Sequence, residues 1–493
     1  MNIFKNKYTF PVLSLLVIIA GAAPRAIEII NRNYLFLFDQ GAYYQAVRDI
    51  VVNRHLSLIG TEVGGIGGFF QGPGFYYLLT IPFILFKGDP YGGMLLMFIL
   101  GLLAIALSIV LFHKSLGKTA ALLIAFFIAL SPGIIHQSRF IWPPFVIAPL
   151  TVVFLYFIWQ SYRKKPMGIP LAFFIVGLMT HFEIATSITL FISTAITFLL
   201  IRPKDIFKPK TIILSAILLT ATQATLILFD LRHNFLNIKG ILKFVTHGSS
   251  GAAYSFQNHL DVYRDSIFSV AHNWNVAAVL SGIVILGLVL IFKDKKTNPQ
   301  LKKFILFLLI NPIILFIVLL PMKSTLWAWW FLELPIMFCF LLGISLVYLF
   351  RHPKLKFVAV LIVIGYFALF ATQTYGWYKN DLNDYGGVAK IKGKIDAIDY
   401  IYKDANSKDF NLLIFTPPVY TYPYDYLLWW YGQKKYGYIP GKEKKGTFYL
   451  IIEPDPQKQW SYKGWLETVI KTGKVESTVT LSSGTIIQKR VEE

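Results

Sequence analysis

Apolar runs near twenty residues recur along most of this chain, and short basic breaks separate them. A run of that length spans the hydrocarbon core of a bilayer as a helix, and in lipid only helices or closed barrels satisfy every backbone polar group. Composition agrees. Of 493 residues 55% are hydrophobic and 15% charged, with a mean hydropathy of +0.57, whereas soluble domains carry about 25% charged residues. The expected fold class is a polytopic α-helical membrane protein. The net charge of +21 does not indicate nucleic acid, because much of the excess sits in the breaks: Lys5 and Lys7, His113-Lys114 with Lys118, Arg163-Lys164-Lys165, Arg202 to Lys210, Lys293 to Lys303, and Arg351 to Lys356. Such breaks mark cytoplasmic loops. Cys339 is the sole cysteine, so no intrachain disulfide and no cysteine-based metal site is available.

The basic breaks order the spans. Lys5 and Lys7 place the N-terminus in the cytoplasm, and the first span runs from about Tyr8 into Pro24-Arg25. The interval 31–90 then forms the first outer loop. Within it, Asp39 to Ile50 reads as an interfacial helix, Gly60 to Gly74 as turns, and Phe75 to Phe86 as a helix too short to cross. Later spans fall at Tyr91–Phe112, Thr119–Leu130, Thr211–Phe229 and onward to about Thr374. The stretch Ile169 to Ile201 is two short helices meeting outside at His181-Phe182-Glu183. The total is about eleven transmembrane helices, with every basic break inside. Two domains are expected: a membrane domain over 1–375, and a small extracytoplasmic α/β domain over 376–493. Phe410–Phe415 and Thr447–Ile452 read as buried strands of that second domain, and Ile395–Tyr402 and Tyr462–Lys471 as its helices.

This topology gathers the unusual polar residues at outer span ends: Asp39, Arg139, His181, Glu183, Asp230, Arg232, Lys323 and Glu333. Ionisable groups at membrane depth need pairing or a function. Each also has a plain structural reading. Asp39 suits a helix N-cap, and His181 a satisfied hydrogen-bonding role. Asp230 and Arg232 suit an interfacial ion pair, and Arg25 and Lys323 suit snorkelling to headgroups. Trp327, Trp329 and Trp330 suit an interface belt, and the aromatics of Tyr420 to Tyr431, Trp429-Trp430 included, suit packing or a glycan. No Walker A, His-Glu-x-x-His or Gly-x-Ser-x-Gly motif occurs, and the glycines of Gly64 to Gly68 do not lead from a strand into a helix.

In order and sidedness the motifs resemble the GT-C superfamily of integral membrane glycosyltransferases, in particular the branch of protein O-mannosyltransferases and the lipid A aminoarabinose transferase. The resemblance rests on Phe38-Asp39-Gln40-Gly41-Ala42-Tyr43, on Gly72-Pro73-Gly74-Phe75-Tyr76-Tyr77-Leu78, and on Leu130-Ser131-Pro132 with Arg139. The hinge Gly177-Leu178-Met179-Thr180-His181 and the run Phe229-Asp230-Leu231-Arg232-His233-Asn234 complete it. It covers roughly residues 1 to 375 and implies transfer of a sugar from a polyprenyl-phosphate donor to a glycan, lipid or protein acceptor at the extracytoplasmic face of a cell membrane. Asp39 matches the acidic residue that activates the acceptor. The family often places a second acid next to it. Here that position is Gln40, so a metal at this loop is not expected, and a divalent cation is not favoured as a cofactor. His181 stands where relatives often carry lysine.

The chemistry suits these residue types. A lipid-phosphate leaving group needs cations, for which Arg139 and Arg232 come first and His181 and Lys323 second. The acceptor needs a base, the role expected of Asp39, with Gln40, Tyr43, Glu183 and Asp230 as possible support. A retaining course would add a second carboxylate, for which Glu183 is the candidate. Two other functions fit the same composition: a transporter or lipid-linked glycan flippase, and a lipid-linked glycan ligase or polymerase.

Overall fold

The computed structural model describes residues 6–63, 68–247, 255–322, 324–406, 409–417 and 420–492. Lys5, Gly64 to Gly67 and Lys323 lie outside the described residues. The expected spans fall on helices, one of them on a broken pair. The chain starts with α1 (Thr9–Arg25) and a short α2 (Ile27–Asn31), then α3 (Phe38–Val51) and α4 (Gly74–Leu85) in the first loop. The bundle continues with α5 (Tyr91–Phe112), α6 (Lys118–Leu130), the short α7 (Pro132–His136), α8 (Ile147–Tyr162), α9 (Gly168–Met179) and α10 (Ile184–Leu200). Next come α11 (Pro209–Thr222), α12 (Ala224–Arg232), α13 (Leu236–His247), α14 (Phe256–Phe268), α15 (Trp274–Lys293), α16 (Pro299–Leu319), α17 (Glu333–Arg351) and α18 (Lys356–Asp381). Among the described residues six helices are by themselves long and apolar enough to cross a membrane, seven if α11 and α12 count as one span bent by 61°. The expected span over Thr211–Phe229 is therefore broken at Gln223. The remaining apolar helices, including α1, α6, α9 and α10, are shorter than a straight crossing requires.

The centre of the bundle is α17, almost wholly buried and flanked by α6, α8, α15 and α16. Glycine permits the closest approaches: at Gly343 an added Cβ would meet Ile124 of α6 at 2.6 Å, and at Gly287 it would meet Ser345 at 2.3 Å. Arg25 does not snorkel. It is fully buried, and its guanidinium donates to Gly21 O at 2.7 Å, Ala129 O at 2.8 Å, Ile128 O at 3.3 Å and Ser138 Oγ at 3.3 Å. Three of these four acceptors are carbonyls near the C-terminal ends of α1 and α6, where the helix dipoles favour a cation.

After α18 the chain builds the second domain. Helix α19 (Ile391–Ala405) and a short α20 (Tyr422–Leu427) pack with a sheet of β1 (Asn411–Phe415), β2 (Gly446–Ile452), β3 (Lys474–Thr480) and β4 (Ile486–Glu492), in the order β1-β2-β4-β3. β1 and β2 run parallel with Leu413 opposite Leu450, and the other pairs are antiparallel. The two apolar strands match the sequence reading. β3 and β4 lie outside it, because Lys474 to Thr480 is mostly exposed and carries no apolar run. A buried ion pair sets the domain core: Lys394 Nζ donates to Glu453 at 2.5 Å and to Val388 O at 2.7 Å, and the Tyr424 hydroxyl donates to the same carboxylate at 2.7 Å.

The domain sits directly on α3. At Gly41 an added Cβ would lie 2.3 Å from Pro423 N, so the backbones of α3 and α20 touch. Tyr44 packs on Tyr426 at 5.0 Å, and Gln45 Nε2 donates to Tyr422 O at 3.1 Å. Trp429 stacks on Phe83 of α4, and Trp430 Nε1 donates to Lys87 O. Those two tryptophans therefore pack the domain onto the first loop.

Candidate active site

Asp39 sits in the first turn of α3. The backbone N–H of Leu37, the residue before the helix, donates to Gln40 Oε1 at 2.9 Å, so the side chain serving this helix end belongs to Gln40. Gln40 is buried, and its Nε2 donates to Ile141 O at 2.9 Å, tying α3 to the segment after α7. Asp39 does no capping. Among the described residues no hydrogen bond or ion pair engages its carboxylate, although the side chain is half-buried. Burial pushes its pKa above the usual aspartate range. An unpaired, partly desolvated carboxylate at a helix start has the character of a base awaiting a proton.

Tyrosines surround it. Tyr43, one helical turn on, is buried, packs edge-on against Phe75 at 5.5 Å and faces Tyr76 at 6.3 Å. Asp39 acts electrostatically on both Tyr43 and Tyr76, and Tyr43 also feels Glu183. Behind Trp142 lies a cavity of about 500 Å³ lined by His136, Gln137, Phe140, Phe145, Asp265 and Trp329 among others. Trp329 meets Trp142 edge-on at 5.2 Å and stacks on Trp327 at 4.7 Å, so these tryptophans reach the site.

The Gly72-Pro73-Gly74 motif has a clear cause. The ring of His181, in the turn between α9 and α10, lies against it. An added Cβ at Gly72 would be 2.2 Å from His181 Nδ1, and one at Gly74 would be 2.6 Å from His181 Cβ. The Gly74 N–H donates to Nδ1 at 3.3 Å, which leaves the proton on Nε2 to donate to Thr222 O at 2.8 Å. Gly72 N–H also donates to Thr180 O at 3.0 Å. His181 is thus a neutral bolt joining the first loop, the α9–α10 hinge and the end of α11. Glu183 caps α10 by accepting from Ala185 N–H at 3.2 Å. Glu333 is fully buried, with neither carboxylate oxygen hydrogen-bonded among the described residues.

The expected cations fare differently from one another. Arg139 is engaged: Nε donates to Glu28 at 2.9 Å, and Nη2 donates to Glu28 and to Asp381, both at 2.6 Å. Two carboxylates face one guanidinium, which joins α2, the segment after α7 and the end of α18. Glu28 and Asp381 had no motif to flag them, and only the fold brings them to Arg139. Asp230 does not pair with Arg232. It is buried and caps α13 by accepting from Asn237 N–H at 2.6 Å and Ile238 N–H at 3.3 Å. Asn237 Oδ1 in turn accepts from Phe70 N–H at 2.6 Å, so this turn holds the first loop. Arg232 is exposed and, among the described residues, free of any hydrogen bond or ion pair. No cluster of three or more His, Cys, Asp or Glu able to hold a metal occurs among the described residues.

A family model of dolichyl-phosphate-mannose-protein mannosyltransferases matches residues 14–199, the part that carries Asp39, the glycine motif, Arg139 and His181. Among solved structures the chain is similar to ArnT from Cupriavidus metallidurans bound to undecaprenyl phosphate. The TM-score is 0.59 at 12% identity, covering 98% of this chain and 97% of that one. The same protein in the apo state gives 0.59 at 11% identity with the same coverage. An oligosaccharyltransferase from Archaeoglobus fulgidus in the apo form aligns over 90% of this chain and 66% of its own, with a TM-score of 0.48 at 15% identity. No curated protein matches the chain in sequence. The fold is GT-C-like, and the chain is a multi-pass membrane protein with a small sheet domain at its C-terminal end.

Proposed function

We propose that this GT-C-like membrane protein is a glycosyltransferase that moves a sugar from a polyprenyl-phosphate carrier to an acceptor at the extracytoplasmic face, with Asp39 as the base. The observation that carries this reading is the half-buried Asp39 carboxylate in the first turn of α3, unpaired among the described residues. The match of residues 14–199 to dolichyl-phosphate-mannose-protein mannosyltransferases and the likeness to an ArnT bound to undecaprenyl phosphate support a polyprenyl-phosphate donor.

The reaction balances with one base. The acceptor's hydroxyl gives its proton to an Asp39 oxygen while its own oxygen bonds to the anomeric carbon. The carbon–oxygen bond to the donor phosphate breaks, and the lipid phosphate leaves with the bonding electrons. Charge grows on that phosphate, so a cation must face it. Arg232 is assigned this role because it is exposed and, among the described residues, unpaired; Lys323, outside the described residues, is the second cation proposed for it. Arg139, held between Glu28 and Asp381, positions the frame. His181, neutral and doubly bonded, fixes the loop from Gly72 to Tyr76 and presents no charge. A single displacement inverts the anomeric centre.

The test is made in proteoliposomes loaded with a polyprenyl-phosphate sugar labelled in the sugar. The reading predicts label in an acceptor added on the outer side, with stoichiometric free polyprenyl phosphate. Label crossing the bilayer while still on its lipid, with no phosphate released, would instead establish a flippase. Consumption of lipid-linked oligosaccharide but not monosaccharide would establish a ligase.

A further inference from the structure

Immediately before the base, three aromatic rings form a surface that the packing of the domain leaves unused. Phe38 lies 5.2 Å from Tyr420 and 5.2 Å from Tyr422, and those two rings stack on each other at 5.5 Å with planes 20° apart. The other aromatics of this stretch turn inward: Tyr424 and Tyr426 are fully buried, and Trp429 stacks on Phe83. Tyr420 remains 55% exposed and Tyr422 half-buried. The backbone that carries the two tyrosines is tied down. Thr416 Oγ1 donates to Tyr420 O at 2.9 Å, Gln45 Nε2 holds Tyr422 O, and Pro423 abuts the backbone of Gly41. Beside the rings runs a polar edge in which Asp425 accepts from Thr421 Oγ1 at 2.6 Å and from Lys442 Nζ at 2.9 Å.

An aromatic floor beside a fixed edge of carboxylate, ammonium and hydroxyl matches one chemistry. A pyranose presents an apolar face of C–H bonds and a rim of hydroxyls. The face stacks on aromatic rings and the rim hydrogen-bonds to charged groups. A peptide would need backbone partners, and the rings supply none. A lipid tail would not use the Asp425–Lys442 edge. We infer that Phe38, Tyr420 and Tyr422 form a saccharide-binding platform and that the acceptor of this enzyme is itself a glycan or glycolipid, whose terminal sugar stacks there with its hydroxyl directed to Asp39. The inference rests on the reading of Asp39 as the transfer site. It also gives the C-terminal domain a role, since Tyr420 and Tyr422 come from that domain and Phe38 from the membrane domain.

The experiment separates binding from transfer. The full chain is placed in lipid nanodiscs, which avoids sugar-based detergents, and titrated with methyl pyranosides and their disaccharides while saturation transfer to the sugar C–H protons is recorded. Saturable transfer is expected for at least one of these sugars, with Tyr420→Ala/Tyr422→Ala weakening binding about tenfold, the scale of a lost aromatic contact. Tyr420→Phe keeps the ring and should bind like wild type, which controls for misfolding. Asp39→Asn keeps all three rings and should still bind saturably. Saturable binding by an Asp39→Asn protein that still turns over donor at the wild-type rate would refute the base and leave the platform standing. No saturable binding of any pyranoside, unchanged binding by the double alanine variant, or competition by a serine-rich peptide alone would overturn the platform.

Discussion

In the proposed reaction Asp39 is the base, and its surroundings make predictions about pH. Its carboxyl pKa is raised by burial. The base must be ionised, so donor turnover should rise with pH through an apparent pKa above the usual aspartate range, and Asp39→Asn should abolish that limb. The same shift has a stability consequence. A raised folded-state pKa makes the ionised form unfavourable in the native protein, so wild type loses stability as pH rises from the ordinary aspartate pKa through the raised one. Asp39→Asn should therefore melt no lower than wild type at neutral pH, and the gap should vanish in acid. Thermal melts at two pH values check this. Arg139 predicts the opposite behaviour. Arg139→Ala leaves the buried Glu28 facing Asp381 without its cation, a change that costs about 3–5 kcal/mol when a buried pair is broken. The melting temperature should fall steeply, and Arg139→Ala/Glu28→Gln should recover part of the loss. The sequence reading placed both residues at outer span ends but did not separate their roles. Asp39 was legible because an acid in a glycine- and aromatic-rich loop is conspicuous. The partners of Arg139 were not, because Glu28 lies 111 residues away in sequence and Asp381 lies 242 away.

At the scale of elements, the first loop is held by a bolt that allows no extra atom. Gly72→Ala would drive a Cβ into the His181 ring, and overpacking of this kind costs about 1–3 kcal/mol. Turnover should fall as well, since the loop from Gly72 to Tyr76 places Tyr76 near Asp39. Adding His181→Ala removes the obstructing ring. The double variant should therefore be less impaired in stability than the two single effects summed, a coupling measured by a double-mutant cycle. The sequence marked the glycines and the histidine as separate motifs. Their contact belongs to the fold, because His181 follows Gly72 by more than a hundred residues and meets it only when α9 and α10 hinge. The hinge itself was legible: the apolar stretch from Ile169 is too long for one span, and a polar triplet interrupts it. The break of α11 and α12 at Gln223 was not, because no proline or glycine marks it and Gln223 earns its place by donating to Gly177 O and Thr180 Oγ1.

At the scale of the whole molecule, apolar run length and basic breaks located the helices, and the ArnT-like architecture agrees with them. Half of the sheet escaped notice, because β3 is mostly exposed and β4 is only partly buried, and neither carries an apolar run. The seating of the domain on α3 also escaped notice, since it depends on a backbone contact between Gly41 and Pro423. A branched side chain cannot fit there. Gly41→Val should unseat the domain, seen as faster proteolysis between α18 and α19, and should lower turnover although Asp39 is intact. The central claim is that Asp39 takes the acceptor's proton as the sugar leaves its lipid phosphate. Its most direct test is the release of polyprenyl phosphate in a single turnover by nanodisc-embedded wild type, Asp39→Glu and Asp39→Asn at saturating acceptor. The account predicts loss of about a hundredfold or more for Asn, in line with removal of a general base, and partial activity for Glu. Release by Asp39→Asn at the wild-type rate would contradict it.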